Sequence, residues 1–170
     1  MKELDYLKGY PEDLIKQIQA LIDQDKLGQY LLKKYPQSHE LKSDKSLYDL
    51  AMDLKSRYLR KSGPLSKVLY DNKISLKQQA LGLHSYVSRV QGKKLKAKNE
   101  IRIASVLKNV PLELLRVILV HELAHLKEKE HNKAFYKLCT HMEAAYFQLE
   151  FDLRVYLTYY DMKGSLYWKK

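Results

Sequence analysis

The sequence predicts an α+β fold, and three observations carry that expectation. Apolar residues recur at helical intervals through residues 11–58. Short stretches of β-branched or alternating apolar residues follow at 67–70, 83–90 and 101–103. Two more helical patterns come after Pro111, and the first of these is apolar on every side.

The elements are expected in the following order. Leu14, Ile18, Leu21, Ile22, Leu31 and Leu32 predict one or two helices between Pro11 and Lys34, broken near Gly28. Leu47, Leu50, Ala51, Leu54 and Tyr58 predict another, ending before Gly63-Pro64. Residues 1–62 therefore read as a helical N-terminal extension, and residues 63–170 as the domain it covers. Residues 67–70 form a possible short strand. A second, 83–90, ends at Gly92, and Ile101-Arg102-Ile103 alternates as a third strand leading to Pro111. Between the last two lies a basic loop or hairpin tip holding Lys93, Lys94, Lys96 and Lys98. Beyond Asn132, the spacing of Phe135, Leu138, Met142, Phe147, Leu149, Leu153 and Leu157 stays helical to about Tyr160, and Gly164 marks the expected end of order. His39 reads as a surface loop residue, and His84 faces either a cleft or solvent.

The most informative segment is His121-Glu122-Leu123-Ala124-His125, inside the apolar run from Leu114 to Leu126. Pro111 suits the first position of that helix and Glu113 its positive end. Residues four apart on a helix lie about 40° around the axis and roughly 6 Å along it, so both imidazoles leave one face. Leu114 and Ile118 share that face, and the remaining apolar residues cover the others. Burying two imidazoles and a carboxylate without partners would cost several kcal/mol. A metal ion supplies the partner. A bound ion brings the pKa of water toward ~7, and Glu122 is placed to take its proton. The bland alternative is a core helix whose two His bond carbonyls while Glu122 reaches the surface. It accounts less well for the triplet in so apolar a setting.

A metal held by two His needs a third protein ligand. His131 is the nearest candidate, but a continuing helix would carry it about 120° away from His125. The chain must therefore turn between Leu126 and His131, where Lys127-Glu128-Lys129-Glu130 is wholly charged. Asn132 can then cap a helix starting at Lys133. Metzincins have Gly at the turn position occupied here by Glu128. Glu143, Glu150, Asp152 and His141 are the other candidates for the third ligand. Tyr136 and Tyr146, close to these residues, are expected to pack rather than react.

The stretch from Val117 to Phe135, with Pro111 before it, resembles the YgjP-like metallopeptidases, relatives of the SprT-like proteases. In that family a Pro opens the helix, H-E-L-A-H-L closes it, and a His, a small polar residue and a Phe begin the next. Pro111, His121 to Leu126, His131, Asn132 and Phe135 match in that order. Where the family commonly has Trp-Gly-Ser-Cys, this chain has Ser88-Arg89-Val90-Gln91-Gly92, and its one Trp is Trp168. The resemblance spans roughly residues 83–157 and is specific over 111–135. It implies zinc (Zn2+) on His121, His125 and His131, with Glu122 as general base for peptide cleavage. It also implies a minimal zincin-like fold, a small sheet packed on the buried helix and a second helix.

Composition narrows the class further. With 170 residues and 45% hydrophobic content, one domain with a real core is expected. No apolar run approaches the ~20 residues of a membrane span, and the N-terminus lacks a signal-peptide core. The single Cys, Cys139, excludes an internal disulfide and reads as a small core residue, so a cytoplasmic protein is expected. The net charge of +11 is concentrated in residues 55–110, which hold 14 Lys and Arg against 2 Asp and Glu. That segment is either a solvated basic surface or an attractor of nucleic acid or acidic proteins. The expected function is thus a zinc-dependent metallopeptidase-like hydrolase acting on a polypeptide. The alternatives are a nucleic-acid-associated module with a structural zinc site, or a metal-dependent hydrolase of a small amide.

Overall fold

A computed structural model describes residues 2–80 and 99–167. The strand expected at 83–90, its basic loop with Lys93, Lys94, Lys96 and Lys98, His84 and Trp168 lie outside the described residues.

A 3-10 turn, Lys2–Leu7, leads into helices α1 (Glu12–Asp23), α2 (Leu27–Lys34) and α3 (Asp44–Tyr58). Strand β1 (Leu65–Asp71) and the short helix α4 (Leu76–Ala80) follow. Strand β2 (Asn99–Ala104) runs through a 3-10 turn, Ser105–Asn109, into α5 (Leu112–Ala124). The chain ends with α6 (Lys133–Met142) and α7 (Tyr146–Lys163). This mixed α+β architecture, with its small sheet, is that of a minimal zincin-like fold.

The two described strands pair in parallel, Val68 against Ile101 and Tyr70 against Ile103, with an irregularity between Leu65 and Lys67. Ile101, Ile103 and Ala104 bury the β2 side chains that meet α5. The apolar run of α5 is explained by its surroundings: α3, α6, α7 and β2 all pack on it. Residues 117–120 are each at most 4% exposed. Helix α3 opens on a capping box, in which the Ser46 amide donates to the Ser43 hydroxyl (3.1 Å) and Ser46 Oγ accepts from the Ser43 amide (3.2 Å). Asp44 then accepts from the amide of Tyr70 (2.9 Å), tying α3 to β1.

Several local expectations shift. The break between the first two helices falls at residues 24–26, where Asp25 takes a left-handed φ of 54°. Gly28 lies inside α2, and a Cβ there would sit 3.0 Å from the Tyr159 ring of α7. It is a close-approach position, not a breaker. Pro111 stands one residue before α5, at its cap. The long helical pattern after Asn132 divides at residues 143–145 into α6 and α7. Order does not end at Gly164, because the Tyr167 hydroxyl is buried and donates to the Tyr35 carbonyl (2.8 Å). His39 is no surface residue. It is 6% exposed, with Nδ1 accepting from the Leu41 amide (2.9 Å) and Nε2 2.7 Å from the Leu107 carbonyl. A polar ring in a loop looks solvent-facing in sequence; here it satisfies buried backbone groups.

Candidate metal centre

His121, His125 and His131 come together at the C-terminal end of α5. Their ring centroids are 5.0 Å apart for His121 and His125, 4.8 Å for His121 and His131, and 4.9 Å for His125 and His131. One ligand nitrogen from each lies within 4.8 Å of the others. The buried Phe135 ring, first turn of α6, packs against all three at 4.7–5.0 Å.

The turn that delivers His131 needs no glycine. At His125 (φ −66°, ψ −12°) the helix tightens, the Leu126 amide donating to the Leu123 carbonyl and the Lys127 amide to that of Ala124. Asp25 is the only left-handed non-glycine residue among the described ones, so Glu128 bends by a looser path. Asn132 caps α6 by accepting from the Phe135 amide (2.9 Å), which holds His131 just outside a fixed helix start.

Two of the three rings are oriented by their far nitrogens. His125 Nδ1 is 2.9 Å from the Glu128 carbonyl. That oxygen only accepts, so His125 Nδ1 carries the proton and Nε2 presents a lone pair. This lone pair lies 3.1 Å from Nε2 of His131. His121 Nδ1 is 2.9 Å from the hydroxyl of Tyr146 on α7. Burial, then the nearby His125 and His131, push His121 down to about 3; burial also lowers His125. The lowered His121 and His125 and the clustering of three ring nitrogens fit a divalent cation, whose ligands must be deprotonated.

Glu122 points away from solvent, 6% exposed. Burial lifts its carboxyl to about 7, against a smaller opposing effect of the hydrogen bond from Gln79. A cation beside it pulls the other way. Gln79, 1% exposed on α4, also clamps β2, donating through Nε2 to the Arg102 carbonyl and accepting at Oε1 from the Ala104 amide, both at 2.8 Å.

The other candidates for the third ligand have different partners. Glu143 pairs with Arg116 (3.6 Å). Asp152 is buried against Lys34 (2.8 Å), the Tyr35 hydroxyl and Gln148 (3.0 Å). His141 stands edge-on to Tyr58, 5.3 Å between centroids. Glu150 lines an open pocket of about 60 Å3 beside the histidines, together with Gln79, His121, His131, Tyr136 and Arg154. Cys139 is buried, its thiol pushed up to about 12 by burial.

Arg154 and Gln79 escaped the sequence reading, and Glu150 and Tyr146 were expected in other roles. Tyr146 packs as expected but also bonds His121. Glu150 was considered only as a third ligand, and Arg154 had a faint signal, a basic residue in a largely apolar stretch of α7. Gln79 had none.

A buried carboxylate beside three converging imidazoles belongs to the class of metal-dependent hydrolases, and the comparisons agree. Residues 70–154 match the family model described as YgjP-like, metallopeptidase domain. A UTP pyrophosphatase of Escherichia coli (strain K12) is 58% identical over 158 residues, 93% of this chain and 95% of that protein. The chain belongs to the YgjP-like family. None of the solved structures matches it significantly. No helix among the described residues is long and apolar enough to cross a membrane.

Proposed function

We propose that this chain hydrolyses a phosphoanhydride bond of a nucleoside triphosphate, with zinc on His121, His125 and His131 and Glu122 as general base. The relative named a UTP pyrophosphatase supports a nucleotide substrate. The observation that carries the choice of substrate is the Gln79 amide on β2. In a zincin peptidase an extended substrate pairs with the strand edging the cleft. Here the Arg102 carbonyl and Ala104 amide of β2 are taken by one side-chain amide, standing where a partner strand's peptide group would. A compact polyanion needs no free strand edge, and the basic segment 55–110 favours its approach.

His121, His125 and His131 would hold a divalent cation, which would supply Lewis acidity. Glu122 accepts the proton of the attacking water. The water oxygen bonds to phosphorus as the bridging P–O bond breaks, and nucleoside monophosphate and pyrophosphate separate, with the proton passing from Glu122 to solvent. Tyr146 and the Glu128 carbonyl hold two rings in their orientation.

Peptide cleavage is the second reading, favoured by the family's metallopeptidase description and the H-E-x-x-H spacing. One experiment separates the two. Pyrophosphate release from UTP and cleavage of an unfolded polypeptide are measured for the zinc-loaded protein and Glu122→Gln, with elemental analysis of both. The expected result is retained metal and a ~10²–10⁴-fold loss of pyrophosphate release in the variant. Unchanged release removes the general-base role. Glu122-dependent polypeptide cleavage with UTP intact transfers the conclusion to the second reading.

A further inference from the structure

Among the described residues, the pocket beside the histidines is lined by one permanently charged cation, Arg154. Its guanidinium is anchored at one end: an Nη1 hydrogen donates to the Tyr6 carbonyl at 3.1 Å. The Nε hydrogen is buried and has no hydrogen-bond acceptor among the described residues. The Glu150 carboxylate, one turn earlier on α7, pairs with Nε at 4.0 Å, beyond hydrogen-bond range. A buried N–H left unsatisfied costs about 1–3 kcal/mol, and such a group in a functional cavity calls for an explanation.

An anion in the pocket supplies the guanidinium with a closer charge partner than Glu150 does at 4.0 Å. The guanidinium fork matches phosphate oxygens in bidentate geometry, and here its rotation is already restricted by the Tyr6 bond. Glu150 also faces the Tyr146 hydroxyl, the group that bonds His121. A phosphate on Arg154 would therefore lie in the cavity bounded by His121 and His131.

We infer that Arg154 is a phosphate-holding residue, binding the polyphosphate chain of a nucleoside triphosphate in the pocket beside the three histidines. Glu150 competes for the same guanidinium and limits how tightly an anion is held. This inference rests on the nucleotide reading above and names the residue that recognises the substrate's charge. A purely structural Arg154 would do no more than fasten the N-terminal turn to α7 through the Tyr6 carbonyl.

The test is calorimetric binding of the non-hydrolysable α,β-methylene analogue of UTP to the zinc-loaded protein, with uridine as the phosphate-free control. Metal content is checked after titration and melting temperature before it. Arg154→Gln is expected to weaken the analogue by about ten- to a hundredfold while leaving metal content unchanged. Arg154→Lys keeps the charge and a donor for Tyr6, and is expected to recover part of the loss. Glu150→Gln is expected to tighten binding, a change of opposite sign that a fastening role would not produce. Equal analogue affinity in the wild type and both Arg154 variants overturns the inference, as does a wild type that fails to bind the analogue. The two readings fail separately. Pyrophosphate release by a wild type whose analogue binding ignores Arg154 sinks the subsite alone. Arg154-dependent binding without any release sinks the hydrolysis alone.

Discussion

Replacing Tyr146 by Phe removes one oxygen and keeps the ring, so it isolates the bond to His121. Tyr146 is 1% exposed, and its hydroxyl lies 2.9 Å from His121 Nδ1. Loss of a hydrogen bond to a largely buried group costs about 1–3 kcal/mol. Part of that cost falls on folding. The rest falls on the metal, because a histidine whose far nitrogen loses its partner no longer has its ring orientation imposed. Such outer partners are worth about 10–100-fold in metal affinity, or roughly 1.4–2.7 kcal/mol. Competition with a chromogenic chelator gives the zinc affinity of the wild type and Tyr146→Phe, and denaturant melts of the metal-free proteins give the folding part. A tenfold or greater loss of zinc affinity is expected. Equal affinities would refute the reasoning, whatever the change in stability, since they would mean that the ring is oriented without the hydroxyl.

Three further outcomes follow from particular contacts. Gln79→Leu strands the Arg102 carbonyl and the buried Ala104 amide, so denaturant unfolding should show a loss of about 2–4 kcal/mol. Asp152→Ala removes a buried carboxylate from the partly exposed Lys34 and from the Tyr35 hydroxyl and should cost about 1–3 kcal/mol, yet elemental analysis should find its metal content unchanged. Burial keeps the pKa of His39 below its ordinary 6.5 despite the bond to the Leu107 carbonyl. The unfolded chain then binds the extra proton first as pH falls, so this contribution is complete above about 6.5 and shrinks below it. The stability gap between wild type and His39→Gln should narrow by up to about 1.4 kcal/mol from pH 7.5 to pH 5.5, measured by denaturant melts. A gap that stays constant or widens would contradict a neutral buried ring.

The zincin-like α+β class and the elements around the motif were legible because they depend on short-range repetition. The 3.6-residue period places His121 and His125 on one face, and an unbroken apolar run requires that helix to be central. Asn132 announces a helix start through the chemistry of its own side chain. Where the reading went astray, a residue's usual habit was overridden by a distant neighbour. Gly28 was taken for a break because Gly weakens helices, but it serves the approach of Tyr159, 131 positions later. His39 looked like loop decoration until the chain near Leu107 folded over it.

By itself, then, the amino-acid order determined the α5 helix, its paired imidazoles, its acid and the cap that follows, since each needs only residues within about ten positions. The tertiary structure alone decided how His131 turns back, which hydroxyl orients His121, and that Gln79 closes the strand edge beside Glu122. It also decided that Arg154 enters the same pocket. Those contacts join elements separated by long stretches of chain, and a one-dimensional pattern holds no distance between such elements. Only the burial of α5 on several sides brings them within hydrogen-bond reach of one another.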